Sequence, residues 1–498
     1  MKSLIKKIII TGIIIVFLCS PITVSAADSY TYTYDYWGEV QESPDAYRVT
    51  NVLIYKDLGL DKALSNPQGL FVKDNLIYIC DTGNNRIIEI ERLNTEYQVK
   101  RVFDSFVGNT EVLTFASPSD IYVTKEGDMF IADTDNNRVV KLDKDLNFLL
   151  DFTKPADATF DQSLSFFPTK VVADVTGRAF VLGKNINKGL IKYENDGTFT
   201  GFIGANKVTY SVTDYIWKKL STQAQRAQQE SFVPTEYDNI YMDLDGFIYA
   251  VTTTFSGNDL MNDKAKPIRK LNVMGADILV KNGTYPPIGD IDWGEAGGYS
   301  GASKFIDISV LENEVYFGLD RTRGRIFGYD DQGNLLYAFG GAGNMEGYFR
   351  SPSAIENMGN DLLVLDSKDG SITVFETTEF GDYIFKALEE YKKGNYSESS
   401  SYWTEVLRQN GNYKLAYVGI GRSLLREGEY KKAMDYFKIN MDDTNYSKAF
   451  KLYRKEVVEE NIIYIFIGVF LILLVPLGIG KFKKLKVEVE LFEKSRKF

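Results

Sequence analysis

The sequence predicts a mainly β chain: a six-bladed β-propeller, then a small α-helical segment and one transmembrane helix. Three observations carry this. First, Ile79-Cys-Asp-Thr-Gly-Asn-Asn-Arg86 is nearly repeated as Ile131-Ala-Asp-Thr-Asp-Asn-Asn-Arg138. Second, each copy follows a proline, Pro67 or Pro118, that opens a strand-like run, and the prolines lie 51 residues apart. A unit of roughly 40–50 residues holding four short strands has the period of a propeller blade. Third, Ile462–Ile479 is an 18-residue run without a charge, close to the ~20 residues needed to cross a bilayer.

From the N-terminus, Lys2, Lys6 and Lys7 precede the apolar run Ile8–Leu18, and Val24-Ser-Ala26 ends it in small residues. This is the pattern of a secretory signal spanning 1–26. Leu18, directly before Cys19, argues against a lipid anchor, which wants a small residue there. In the N-terminal segment 27–46, Tyr30, Tyr32, Tyr34 and Tyr36 alternate with Thr and Asp, so a strand would carry four rings on one side. Such a strand is either an edge laid against a neighbouring domain or a carbohydrate platform.

The propeller is expected over 47–380. Blades one and two start at Pro67 and Pro118; weaker copies start at Pro168, Pro234, Phe305 and Pro352. The sixth ends at Ile372-Thr-Val-Phe-Glu376 with helical sequence directly behind it, so Tyr47–Tyr55 is expected to supply its fourth strand. A ring closed by strands from both ends leaves no open edge.

The proline entry, the Asp-Thr-x-Asn-Asn-Arg turn and the following Val or Ile pair resemble the NHL-repeat family of β-propellers, most closely in blades one and two. The motif fades in blades three and four, where Val181-Leu-Gly-Lys and Tyr249-Ala-Val-Thr lack the aspartate. The resemblance implies a binding platform more than an enzyme.

From Tyr383 the pattern turns helical. Gly394 and Tyr396 recur as Gly428 and Tyr430, both 34 residues on, the tetratricopeptide (TPR) period. Ala433 and Phe437 stand where that family packs its helices tightly, with Ser399 and Trp403 in the first copy. Two repeats over 381–460 and a helix at Asn445–Glu459 make a short stack, serving as a stalk or a peptide-binding surface. Behind the transmembrane helix at 461–480, the tail 481–498 carries Lys481, Lys483, Lys484 and Lys486. The positive-inside rule puts that tail in the cytoplasm and the preceding domains outside.

Composition narrows the chemistry. The chain holds 57 Lys and Arg against 68 Asp and Glu, a formal charge of −11, and setting aside signal and tail leaves −18 on the exported part. Nucleic acid is thus a poor partner. The absence of histidine excludes histidine general bases, Ser-His-Asp triads and histidine-ligated zinc. An Asp/Glu/Asn-ligated calcium site stays compatible, but no cofactor is expected. After signal removal only Cys80 remains, a core residue with no partner for an intramolecular disulfide.

Long insertions fall on the face that carries the turns between second and third strands: 205–232, with a helix expected from Tyr215; Thr252–Pro267; and Asn282–Lys304. Loops gathered on one rim of a rigid ring are where binding is commonly found. Tyr285, Trp293 and Tyr299 with Asp290, Asp292 and Glu295 suit a sugar, the rings taking its C–H surface and the carboxylates its hydroxyls. Arg321, Arg323 and Arg325 would fix a carboxylate or neutralise local acid. In the repeat turns, Asp81, Asn85 and Arg86, and equally Asp133, Asn137 and Arg138, are expected to be structural, with each arginine paired to its aspartate. Asp243-Leu-Asp-Gly246 reads as a hairpin turn rather than a calcium loop.

The signal, low cysteine count and basic tail are similar to those of Gram-positive membrane proteins. Membrane-anchored NHL proteins of this layout resemble accessory components of carbohydrate uptake, implying ABC transporter components or an oligosaccharide as partners. The alternative is a lactone hydrolase similar to gluconolactonase, whose divalent ion is held by Glu, Asp and Asn on the channel axis.

Overall fold

The computed structural model describes residues 31–204, 237–255, 259–260, 265–290 and 301–496. The chain divides into two compact units between Thr378 and Glu379.

The first unit is all β. A hairpin of β1 (Tyr32–Tyr34) and β2 (Val40–Glu42) leads to β3 (Tyr47–Ile54). Blade one is β4 (Gly69–Lys73), β5 (Leu76–Asp81), β6 (Arg86–Leu93) and β7 (Glu96–Phe103). The short β8 (Ser105–Val107) and β9 (Val112–Thr114) precede blade two, which is β10 (Pro118–Val123), β11 (Met129–Asp133), β12 (Arg138–Leu142) and β13 (Phe148–Thr153). Blade three is β14 (Pro168–Ala173), β15 (Ala179–Gly183), β16 (Leu190–Tyr193) and β17 (Phe199–Ile203). The next sheet holds β18 (Asn239–Met242), β19 (Ile248–Val251) and β20 (Ile268–Leu271). Then follow β21 (Phe305–Val310), β22 (Tyr316–Asp320), β23 (Arg325–Tyr329) and β24 (Leu335–Ala342), with β25 (Tyr348–Phe349) beside β24. The last sheet is β26 (Pro352–Met358), β27 (Asp361–Asp366) and β28 (Ser371–Thr377), completed by β3.

Inner strands β4, β10, β14, β18, β21 and β26 are neighbours in that order, and β26 returns to β4. The closing strand is where the sequence put it: β3 pairs antiparallel with β28 from Ile54↔Ser371 to Tyr47↔Thr377. Five of the sheets are complete four-stranded blades, not the six expected, and the sheet in the fourth position has three strands among the described residues. The reason is local. After β20 a turn at Gly275 (φ +75°) allows an isolated bridge, Leu271↔Asp277, with backbone bonds from Asn272 N to Ala276 O and from Ile278 N to Lys270 O. The chain then leaves for the neighbouring blade, where Asn282 N donates to Gln332 O.

Each blade is apolar on both faces because each face meets another blade. In β5, Ile77 and Ile79 pack with Leu363 and Leu365 of β27, whereas Tyr78 and Cys80 pack with Ile121 and Ile131 of blade two. The period of two thus sorts one strand into two cores, and Cys80 is buried as expected. The tyrosine-rich segment is an edge strand: β1 adds to β24 through Tyr32↔Ala338, with β2 outside it.

The second unit is helical: α1 (Glu379–Lys393), α2 (Tyr396–Gln409), α3 (Lys414–Arg426), α4 (Tyr430–Ile439), α5 (Asp443–Glu460) and α6 (Ile462–Ser495). Gly394 and Gly428 both adopt φ +87°, each stopping one helix just before the next begins. Ser399 and Trp403, like Ala433 and Phe437, are buried. Gly421 lets α3 approach α4 so closely that an added Cβ would stand 2.6 Å from the Phe437 ring. Helix α6 is 34 residues long, apolar through Ile479, and has no buried residue.

Candidate functional site

The repeat turns are structural joints. Asp81 closes β5 and accepts from Ser65 N (2.7 Å), Asn84 Nδ2 (2.8 Å) and Arg86 Nε (2.7 Å), while Arg86 also reaches Asp61 at 2.8 Å. Asp133 repeats this with Ala116 N (2.7 Å), Asn136 Nδ2 (2.8 Å) and Arg138 Nε (2.9 Å). Asn85 and Asn137 sit at φ 54° and 56°, the left-handed region that asparagine tolerates. Each turn threonine bonds the next blade: Thr82 Oγ1 donates to Pro118 O (2.8 Å) and Thr134 Oγ1 to Pro168 O (2.7 Å). Asp243–Gly246 is a turn as expected, with Gly246 N donating to Asp243 O at 3.0 Å.

Of the expected sugar-binding rim, Asp292, Trp293, Glu295 and Tyr299 lie outside the described residues, as does the helix expected from Tyr215. Asp290 is not presented to solvent. It is buried, and its carboxylate accepts from Tyr32 (2.9 Å), Tyr34 (2.6 Å), Arg323 Nε (3.0 Å) and Arg325 Nη1 (2.5 Å). Its N–H donates to Ser303 Oγ, which donates to Asp320, and Gly289 N donates to the Tyr329 hydroxyl. Arg323, expected to hold a ligand carboxylate, is likewise turned inward onto Asp290. Burial and the Asp290 charge push the Tyr32 hydroxyl far above the ordinary tyrosine range, so it remains a donor. Tyr285 donates to Tyr36 O (2.8 Å) and meets the edge of the Tyr34 ring, and Arg321 is exposed. This group fastens the N-terminal hairpin to the ring.

A second constellation lies on the ring axis, where sequence reading had placed nothing. In β10, β14, β21 and β26 the register shifts one residue after the strand opens, between Pro118/Asp120, Pro168/Lys170, Phe305/Asp307 and Pro352/Ala354. Such bulges re-aim side chains. Asp120 takes the Lys170 ammonium at 3.3 Å and the Val171 N–H at 2.9 Å. Asp307 takes Ile308 N (2.8 Å) and, from the next blade, Ile355 N (2.7 Å). These carboxylates satisfy inner-strand N–H groups that no further strand can reach.

Two residues further along come Phe71, Tyr122, Val172, Tyr241, Ser309 and Glu356. Tyr122 packs on Phe71 (centroids 5.1 Å apart), and both Tyr241 and Ser309 donate to Asn357 Oδ1. Burial, then the Asp307 and Asp120 charges, raises Glu356 well above the carboxylate range. Asp307 is pushed up to about 7, chiefly by burial, against the lowering pull of Lys170. Tyr122 rises to about 12 through burial and the charges of Asp174, Glu126 and Glu356. Asp120 meets Lys170, and Asp307 meets Ile355 N, across neighbouring inner strands of the closed ring, which places these groups at its axis. The one sequence signal that could have pointed to it is a charged residue two places after Pro118 and Pro168, Asp120 and Lys170, inside otherwise apolar strands. Among the described residues no group of three or more Asp, Glu or Cys is arranged to hold a metal ion.

No protein-family model matches the chain, and no curated protein matches it. Among solved structures it is similar to virginiamycin B lyase from Staphylococcus aureus, at 12% identity over 67% of this chain and 100% of that one, with a TM-score of 0.39. A Bacteroides thetaiotaomicron protein of unknown function aligns at 13% identity over 68% and 78%, TM-score 0.40. Hydrazine synthase of Kuenenia stuttgartiensis aligns at 10% identity over 63% and 83%, TM-score 0.37. Likeness at this level carries no argument about activity, and the propeller assignment rests on the sheets themselves.

Proposed function

We propose that this chain is a single-pass, membrane-anchored binding platform. In this reading α6 crosses the bilayer and the 481–498 tail is cytoplasmic. The propeller stands outside as the interaction surface, and α1–α5, taken as two tetratricopeptide repeats and a following helix, form a stalk or second docking surface. The observation that carries the reading is α6, whose apolar length has no buried residue and runs into Lys481, Lys483, Lys484 and Lys486. A helix of that composition calls for lipid, and the lysines orient it. The partner class that fits the acidic exported part and the expected loop-rich face is a component of a carbohydrate-uptake transporter or its oligosaccharide.

Single cysteines at exposed Thr378-side position Glu379 and at tail position Ser495, labelled by an impermeant maleimide on intact cells, test the topology. Labelling at 379 alone supports it, and labelling at 495 overturns it. Crosslinking in the native membrane followed by mass spectrometry then tests the platform: recovery of permeases or a solute-binding protein supports the uptake role, and recovery of no protein redirects the search to a soluble ligand.

A further inference from the structure

We propose that the cytoplasmic end of α6, residues 481–495, packs side by side with a helix of a second membrane protein, one that is acidic next to the bilayer and basic beyond it. The proposal rests on the membrane reading of α6 and adds the kind of partner its tail accepts.

Helix α6 does not stop where its apolar span ends. It runs unbroken to Ser495, so at 1.5 Å per residue about 22 Å of helix stands clear of the bilayer. Along this stretch Phe482, Leu485, Val489 and Phe492 recur at alternating steps of three and four, the spacing of a single helix face. All four are 54–74% exposed. The same steps lead back into the span through Gly478, Val475, Leu471 and Gly468. A Cβ added to either glycine would find no packing neighbour within 4 Å. Small residues let a second helix come close in lipid, so one seam continues from the span into the tail.

The charges beside the seam decide what can cover it. At about 100° of rotation per residue, Lys481 and Glu488 flank one side of the seam and Lys486 and Glu493 the other. In side-by-side helices these flanking positions face each other and set partner choice. A second copy leaving the same side of the membrane runs parallel, which brings Lys481 against Lys486 and Glu488 against Glu493. Like charge then meets like charge in both heptads, and such contacts turn a partner away. A lipid surface fits no better, because the helix leads away from the bilayer and anionic headgroups repel Glu488, Glu490 and Glu493. What fits is a helix carrying Asp or Glu level with Lys481 and Lys486, and Lys or Arg level with Glu488 and Glu493.

The test is energy transfer in phosphatidylcholine vesicles at low salt, between full-length protein carrying a dye on its C-terminus and two acceptor-labelled synthetic probes. Each probe is a leucine-rich span followed by two heptads with leucine at the seam; one has Glu then Lys at the flanking positions, the other Lys then Glu. The first should half-saturate the transfer at a concentration at least about tenfold lower, because four flanking contacts turn from repulsive to attractive. Exchanging the flanking charges, Lys481→Glu, Lys486→Glu, Glu488→Lys and Glu493→Lys together, should invert the order. Phe482→Asn with Phe492→Asn should abolish the preference, and the off-seam exchange Glu490→Lys with Lys494→Glu should leave it unchanged. All these positions are exposed, so none of the variants puts a buried core at stake. Equal transfer to both probes, or stronger transfer between two labelled copies of this chain than to the first probe, would overturn the proposal. A chain that does not float with the vesicles overturns the membrane reading as well; one that floats and shows no preference overturns the proposal alone.

Discussion

Neutralising Asp307 should change how the propeller's stability depends on pH, and the direction can be worked out. Burial moves its carboxyl from 3.8 to about 7 in the folded ring. Between those values the folded chain holds a proton that the unfolded chain has released. Stability therefore falls as pH rises through that window and levels off above it. At about 1.36 kcal/mol per pH unit, the full effect is about 4 kcal/mol. Asp307→Asn removes the slope. It also sets an amide NH2 against one of two peptide donors, Ile308 N or Ile355 N, a cost of about 1–3 kcal/mol that does not vary with pH. The variant should thus be the less stable at pH 4 and equal or superior at pH 8. Asp61, Asp143 and Asp174 are lowered in the folded state. Their stabilisation is lost below 3.8, outside the window. Asp120 and Glu356 shift in the same sense as Asp307, so only the difference between wild type and variant isolates one residue. Hydrogen exchange of β21 and β26 peptides from pH 4 to 8, corrected for intrinsic chemistry, reads it. A difference that stays constant across this range would refute the reasoning.

Three further outcomes are expected. Asp133→Ala leaves Arg138 and the Ala116 N–H without their shared acceptor and should cost about 3–5 kcal/mol in urea unfolding of the propeller; a loss under 1 kcal/mol would show the turn to be dispensable. Asp290→Asn weakens the attachment of Tyr32, Tyr34 and Arg325 and should raise hydrogen exchange in β1 at least about tenfold while blades one to three stay protected. Gly421→Ala puts a methyl against Phe437 and should destabilise the helical unit by about 1–3 kcal/mol, seen as a lower far-UV melting temperature with propeller exchange unchanged.

What was legible in the sequence is what local chemistry determines. The prolines opening β10, β14 and β26, the Asp81–Arg86 and Asp133–Arg138 pairs, and the left-handed Asn85 and Asn137 are each set by a few adjacent residues, so their spacing reveals the blades. The pairing of β3 with β28 was readable because the last blade visibly ran short. The incomplete fourth sheet was not, since nothing local in the sequence marks that after Asp277 the chain leaves β20 and that Asn282 bonds Gln332 of the neighbouring blade. Asp290 misled for a related reason: a loop aspartate among aromatics looks like a sugar ligand, and its four donors come from residues more than 30 positions away. The axial group was missed because Asp120, Lys170, Asp307 and Glu356 form no motif in sequence, and ring closure alone brings them together.

The strand that seals the ring also imposes an order on biogenesis. Ile54 and Ser371 end as paired neighbours, yet at roughly 5–20 residues per second synthesis parts them by on the order of 15–60 s. Throughout that interval β3 is a finished strand with no mate, the kind of edge that recruits foreign chains. Arg48, Thr50 and Asn51 interrupt its apolar residues, and they act as gatekeepers that let the strand wait in solution until the last blade arrives.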